Sequence, residues 1–271
     1  MKPEQVLPAT KVINMLFAKP ALALLGLLHI QPGDPQYPIP NYLAMEIIFF
    51  VVAAIFFLWL KARMSADRPG ATQQVMELVL TNPMGIGIRD LLDDIVGHGA
   101  EKHVAIMGTI ALFILGSNLM SLVPGFMSPT ADKVVPLGCA IIVFLYYNAL
   151  GIRRHGAGGY AKTLLGPVPA ISPIMFVVET VSHFARLLSL TVRLWANMMV
   201  SELIYVSFLG LSIGLYAFLG AKNPLGYISV VVPVGIPLAL AFFHIFEAIL
   251  QAFIFIILAI IYLGVAVAEE H

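Results

Sequence analysis

The sequence predicts an all-α fold: a polytopic membrane protein with several transmembrane helices. Three observations carry that prediction. The 271 residues are 60% hydrophobic and 11% charged, with a mean hydropathy of +0.94, whereas soluble domains carry about 25% charged residues. Apolar runs of span length recur along the chain, near 42–60, 104–123, 134–150, 174–220 and 225–267. Basic residues gather where these runs end on one side. The balance of 15 basic and 15 acidic residues argues against nucleic acid as a partner. Cys139 is the single cysteine, so disulfides and cysteine metal sites are excluded.

Residues 1–41 form an N-terminal external or interfacial segment, and residues 42–271 the membrane domain. The apolar stretch Val12–Ile30 is broken by Lys19 and Pro20 and lacks a small-residue cleavage site. It reads as an interfacial or short re-entrant helix. Residues 31–40 are a proline-rich linker that cannot be helical. The run 42–60 is about 19 residues long, enough for a hydrocarbon core of ~30 Å. Glu46 lies near its start and reads as snorkelling to the interface. Lys61, Arg63 and Arg68 follow at once. They put this end in the cytoplasm and the N-terminus outside.

Residues 64–103 are the extended polar part, with short helices expected over 71–80 and 86–96. Asp90 and Asp94 have a spacing that suits a divalent cation, but a solvated helix end is the preferred reading. His98 and His103 flank Glu101 and read as surface residues. The span 104–123 is closed by Pro124 and Gly125. Its Asn118 and Ser121 share a face, either lining a wet vestibule or bonding to a neighbouring helix. The run 134–150 returns to a second cytoplasmic loop marked by Arg153, Arg154 and Lys162. Gly156, Gly158, Gly159 and Gly166–Pro167 make that loop irregular, without the spacing of a phosphate-binding loop.

From Ile174 to Gly220 there is no proline. At 1.5 Å per residue that is about 70 Å of helix, so the segment is either two spans or one steeply tilted element. Lys222, Asn223 and Pro224 close it. The last helix runs from about 225 to 267, with Pro233, Gly235 and Pro237 expected to kink its first third, and Glu269, Glu270 and His271 following.

Ionisable groups at membrane depth cost about 2.5–3.5 kcal/mol each on insertion scales, so they usually face a partner or a wet cavity. On a helix, Glu179, Arg186, Arg193 and Asn197 fall within about 40° of one another, while Glu202 points to the opposite side. Ser201 adds a hydroxyl beside it. Arg193 has no acid three or four residues away, so its countercharge must come from another helix or another protein. The alternative is that these charges pair within the chain and glue helices together. A second polar row, His244, Glu247 and Gln251, lies at i, i+3 and i+7 of the last helix. It suits a proton relay, because histidine titrates near neutral pH. The alternatives are an interhelical hydrogen-bond cluster or a metal or haem ligand set. Neither a metal nor a cofactor is expected.

Two segments together resemble subunit a of the F-type rotary ATP synthase. One runs Ser189-Leu-Thr-Val-Arg193-Leu-Trp195-Ala-Asn197-Met-Met-Val-Ser201-Glu202, the other Phe243-His244-Ile-Phe-Glu247-Ala-Ile-Leu-Gln251-Ala-Phe-Ile-Phe. Asn118-Leu-Met-Ser-Leu-Val-Pro124 and Gly151-Ile-Arg-Arg-His-Gly156 add to the match, which covers roughly residues 100–271. The resemblance implies that Arg193 is the stator arginine facing a rotor-ring carboxylate. It implies that Glu202 and His244 line one aqueous half-channel and that Asn197 and Gln251 flank the arginine. It also implies a single tilted helix over 174–220, hence about five transmembrane helices ending in a long tilted helix pair, with a cytoplasmic C-terminus and a bacterial inner-membrane location. The implied partners are the c-ring, peripheral-stalk subunit b and the rest of the synthase, and this chain itself holds no nucleotide site. Trp195 and Ala196 depart from the family's Phe-Gly, Ser121 stands where some members carry an acid, and Glu247 has no counterpart. Glu179, Glu247, Ser201 and Asn118 complete the candidate path. The competing readings are a self-contained transporter binding an anion at Arg193, and a haem or quinone protein using His183 and His244.

Overall fold

A computed structural model describes residues 6–27, 29, 31–32, 34, 36–65, 68–82, 85–97, 99–123, 125–165, 172–219 and 226–267, with the side chains of 157, 161–165, 216, 218–219 and 226–234 outside that description. The expectations placed on His98, Pro124, Gly166–Pro167, residues 222–224 and the last four residues therefore lie outside the described residues. The helices are α1 (Pro8–Leu27), α2 (Asn41–Arg63), α3 (Ala71–Leu80), α4 (Ile88–Val96), α5 (Glu101–Leu119), α6 (Val134–Leu165), α7 (Ser172–Leu219) and α8 (Gly226–Val267). Two 3-10 turns, Met120–Leu122 and Pro129–Ala131, lie between α5 and α6. No strand occurs among the described residues.

Six of these helices are long and apolar enough to cross a membrane, one more than expected. The addition by that measure is α1, a 20-residue helix that continues through Pro20, where an interfacial or short re-entrant helix was expected. A proline inside a helix removes one backbone hydrogen bond, and that loss leaves the flanking turns in register here. The segment 174–220, whose number of crossings was open, is one helix of 48 residues. At about 72 Å it exceeds the bilayer core more than twofold, so it must run obliquely. α8 is likewise one helix of 42 residues through positions 233, 235 and 237. The loop expected after residue 150 is instead helical to Leu165, interrupted at Gly156. There φ is +73°, a conformation that costs a residue with a Cβ and that glycine adopts freely.

The chain forms two compact units, each drawing on α2, α5, α7 and α8. The first holds residues 1–56, 115–132 and 196–250. In it the proline-rich linker is tied to α1 by one amide. Asn14 Nδ2 donates to Ile39 O at 2.9 Å, and Ile39 N donates to Asn14 Oδ1 at 3.0 Å. Ile13, Ile39 and Ala44 pack together beneath that tie. α2 and α5 approach at Gly116, where a Cβ would collide with the Phe49 ring. The second unit holds residues 57–114, 133–195 and 251–271. Here Leu92 of α4 is fully buried, and a Cβ at Gly264 of α8 would lie 2.6 Å from Ile95 Cγ2. Asp90 spends its Oδ2 on Asn82 N at 2.7 Å, and Arg89 pairs with Glu101 at 2.7 Å. Asp90 is thus committed to the end of α3, and Arg89 also lies 3.9 Å from Asp93.

Candidate functional site

Within the first unit, a line of polar side chains begins on α7 and ends on α8. Glu202 Oε2 accepts from Ser128 N at 3.2 Å. Ser128 Oγ donates to Ser117 O at 3.0 Å and lies 2.7 Å from Thr130 Oγ1. Thr130 Oγ1 donates to Asn118 Oδ1 at 2.5 Å. Asn118 Nδ2 reaches Ala248 O at 3.5 Å. Because a carbonyl only accepts, that contact fixes which end of the amide faces Thr130. His244 closes the line: Ser201 Oγ is 2.7 Å from Nδ1, and Ser121 Oγ is 2.9 Å from Nε2. Its ring stacks on Tyr205, with centroids 6.2 Å apart. His244, Asn118, Ser121 and Ser201 are all buried, and Glu202 is half-buried. Hydroxyls and a neutral imidazole both give and receive protons, so proton hopping is chemically open to this set, while Asn118 acts as an anchor.

The second unit carries a differently built cluster on α6, α7 and α8. Arg186 Nη2 lies 3.5 Å from Glu179 Oε1, and His183 Nε2 lies 3.8 Å from the same oxygen. The Glu179–Arg186 contact bears out the common face expected for these two residues. His183 Nδ1 is 3.3 Å from Tyr147 Oη. The Arg186 guanidinium sits over the Tyr262 ring at 5.3 Å, a cation–π arrangement. Tyr160, beyond the apolar part of α6, donates to Asn148 Oδ1 at 2.8 Å. Burial pushes its phenol above the ordinary 10, with Arg186 opposing and Glu179 adding to the rise.

Arg193 lies between these sets along α7, half-buried. Among the described residues it forms neither an ion pair nor a hydrogen bond. Of the carboxylates on its own helix, Glu179 meets Arg186 and Glu202 accepts from a backbone N–H. Asn197 is exposed and Gln251 is 1% exposed.

Glu247 does not join the set around His244. The buried face of α8 runs through His244, Ala248, Gln251, Ala252 and Phe255. That rotation leaves Glu247 at its half-exposed edge, without an ion pair or hydrogen bond among the described residues. Both ring nitrogens of His244 meet serine hydroxyls, and His183 meets Tyr147 through Nδ1.

Sequence reasoning missed Ser128, Thr130, Tyr205, Tyr147 and Tyr262. The signal for the first two was present: Ser128-Pro-Thr130 is a polar turn that follows the Asn118 segment directly. The tyrosines gave none, since aromatic residues at helical spacing read as core.

A helical membrane protein that keeps hydrogen-bonding and ionisable groups in line within its spans belongs to the ion-transporting class. The profile of the ATP synthase A chain family matches residues 43–264, and the chain belongs to that family, subunit a of the ATP synthase. The ATP synthase subunit a of Koribacter versatilis is 38% identical over 262 residues, 97% of each chain. That of Solibacter usitatus is 36% identical over 249 residues, covering 92% of this chain and 95% of the relative. One from Pelobacter propionicus is 32% identical over 229 residues, 84% and 89% respectively. The chain is therefore a multi-pass bacterial inner-membrane protein of the membrane sector, CF(0), taking part in ion transport and ATP synthesis within the larger synthase.

Proposed function

We propose that this chain is the proton-translocating stator of its synthase, with Arg193 as the fixed charge past which a rotor-ring carboxylate moves. The observation that carries the reading is the unanswered guanidinium: a permanent cation, half-buried on an apolar helix, with no partner among the described residues. Arginine stays protonated at any relevant pH. At ~4 Å and an effective dielectric near 20 it attracts a carboxylate by about 4 kcal/mol, roughly three pKa units towards the ionised form. A rotor carboxylate arriving beside Arg193 gives up its proton and regains one after passing.

The first unit's cluster serves as one half-channel, using Glu202, Ser201, His244 and the hydroxyls anchored by Asn118. In the second unit Glu179 borders the other path and holds Arg186 in place beside His183 and Tyr147. Asn197 and Gln251 flank the arginine, and Glu247 lies beside the path. The partners are the c-ring and peripheral-stalk subunit b, with the N-terminus outside and the C-terminus cytoplasmic. Each elementary charge crossing gains about 2.3 kcal/mol per 100 mV, so a ring of repeated sites is needed to sum several crossings into one ATP.

The test is Arg193→Ala in the assembled synthase. Proton-driven ATP synthesis should vanish while the chain still inserts and the complex still forms. Normal coupled synthesis by that variant would remove the central role.

A further inference from the structure

We infer that Ser201 is a positioning residue that holds His244 with its ring proton on Nε2 and presents Nδ1 as the site where the relay exchanges protons. The inference rests on the half-channel reading for its functional consequence but not for its geometry. Nε2 lies 2.9 Å from Ser121 Oγ and 3.3 Å from the Asn118 carbonyl oxygen. Ser121 Oγ in turn donates to that same carbonyl at 3.2 Å. A carbonyl only accepts, and the one hydroxyl proton of Ser121 is spent on it. The proton between the ring and these two oxygens is therefore the one on Nε2. Nδ1 is left as an acceptor, and Ser201 Oγ at 2.7 Å is the one group that donates to it.

The arrangement lets the imidazole charge and discharge without turning. A proton reaches Nδ1 through that hydroxyl: Ser201 passes its own proton to the nitrogen, takes a replacement from the half-channel on its oxygen, and accepts from the new N–H. The replacement proton then turns back to the carbonyl four residues earlier, that of Asn197, a bond that helical serines commonly make. When the proton leaves, Ser201 rotates forward again. No bond to carbon changes, and one proton enters and leaves through Nδ1. The Tyr205 ring stacked at 6.2 Å and the full burial of His244 keep the imidazole plane fixed meanwhile.

The experiment places the chain, labelled with 15N-histidine, in the assembled synthase and reads the ring nitrogens by solid-state NMR. His244, one of seven histidines, is assigned by difference against His244→Gln. The wild type should show Nε2 protonated and Nδ1 bare but hydrogen-bonded. Ser201→Ala should redistribute the ring between tautomers and slow passive proton conduction about tenfold, the worth of one buried hydrogen bond. Ser201→Thr, which keeps the hydroxyl, should restore both readouts. A wild-type ring protonated on Nδ1, or a Ser201→Ala ring with an unchanged spectrum, would overturn the assignment. A redistributed ring with unchanged conduction would overturn it as well. If the stator reading itself fails, Arg193→Ala will still synthesise ATP while the His244 spectrum stays as described, so the two failures are separable.

Discussion

The two polar clusters use the same kinds of element and solve opposite problems. In the second unit the carboxylate of Glu179 is met by Arg186 at 3.5 Å and by His183 at 3.8 Å, so a cation accompanies the acid wherever it points. In the first unit Glu202 is met by a backbone N–H, and the rest of its line is hydroxyl, amide and imidazole. No lysine or arginine forms an ion pair with it among the described residues. A paired carboxylate in an apolar setting is a structural clamp that also carries charge. An unpaired one is expensive unless it exchanges a proton with its neighbours. The difference teaches that acids of equal appearance in the sequence have different surroundings: Glu202 meets a backbone N–H, and Glu179 meets two basic side chains.

The largest effect that sharpens this contrast is on flux. Glu202→Gln keeps the acceptor oxygen for Ser128 N but removes the exchangeable proton, and ATP-driven proton pumping should fall by roughly a hundredfold, the lower range for loss of a general acid–base group. Glu179→Gln should leave flux within a few-fold. If the two variants lose the same activity, the clusters are equivalent and the contrast is wrong.

The next effect is on stability and runs the other way. Removing one member of a buried ion pair costs about 3–5 kcal/mol. Here Glu179 is 32% exposed and Arg186 25% exposed, so a loss of about 1–2 kcal/mol is expected for Glu179→Gln, with solvent screening the rest. The double variant with Arg186→Gln should recover part of that loss, read as thermal unfolding of the purified complex. Additive losses would mean that the 3.5 Å contact contributes nothing.

Much of this was legible beforehand because ionisable residues stand out against an apolar background. Glu202, His244, Asn118 and Ser201 were found by composition and helical phase, and the structure joins them through hydrogen bonds. What stayed hidden depended on how segments separated in sequence come together. Ser128 and Thr130 lie in a turn whose value comes from reaching back to Ser117, Asn118 and Glu202. Phase arithmetic put Glu247 on the His244 face, yet α8 packs with its buried side centred further round, towards Ala248 and Ala252. The fold was misjudged where a breaker was trusted too far. Lys19–Pro20 did not end α1, and of the glycines after residue 150 only Gly156 interrupts α6.

The smallest effect concerns Tyr147, whose hydroxyl reaches His183 and whose ring also lies 6.0 Å from the His183 ring. Tyr147→Phe keeps the ring against Phe144 and Tyr262, at centroid distances of 5.5 Å and 6.1 Å, and deletes the 3.3 Å contact to His183 Nδ1. The packing is unchanged, so the loss should be that of one long hydrogen bond, about 0.5–1 kcal/mol of stability. If the hydroxyl also relays protons, conduction will fall several-fold more than Glu179→Gln alone would cause. If it only orients His183, the conduction of Tyr147→Phe will match wild type while the thermal midpoint drops slightly. Measuring both in the same preparation decides whether the second cluster moves protons through His183 or only holds Arg186 in place.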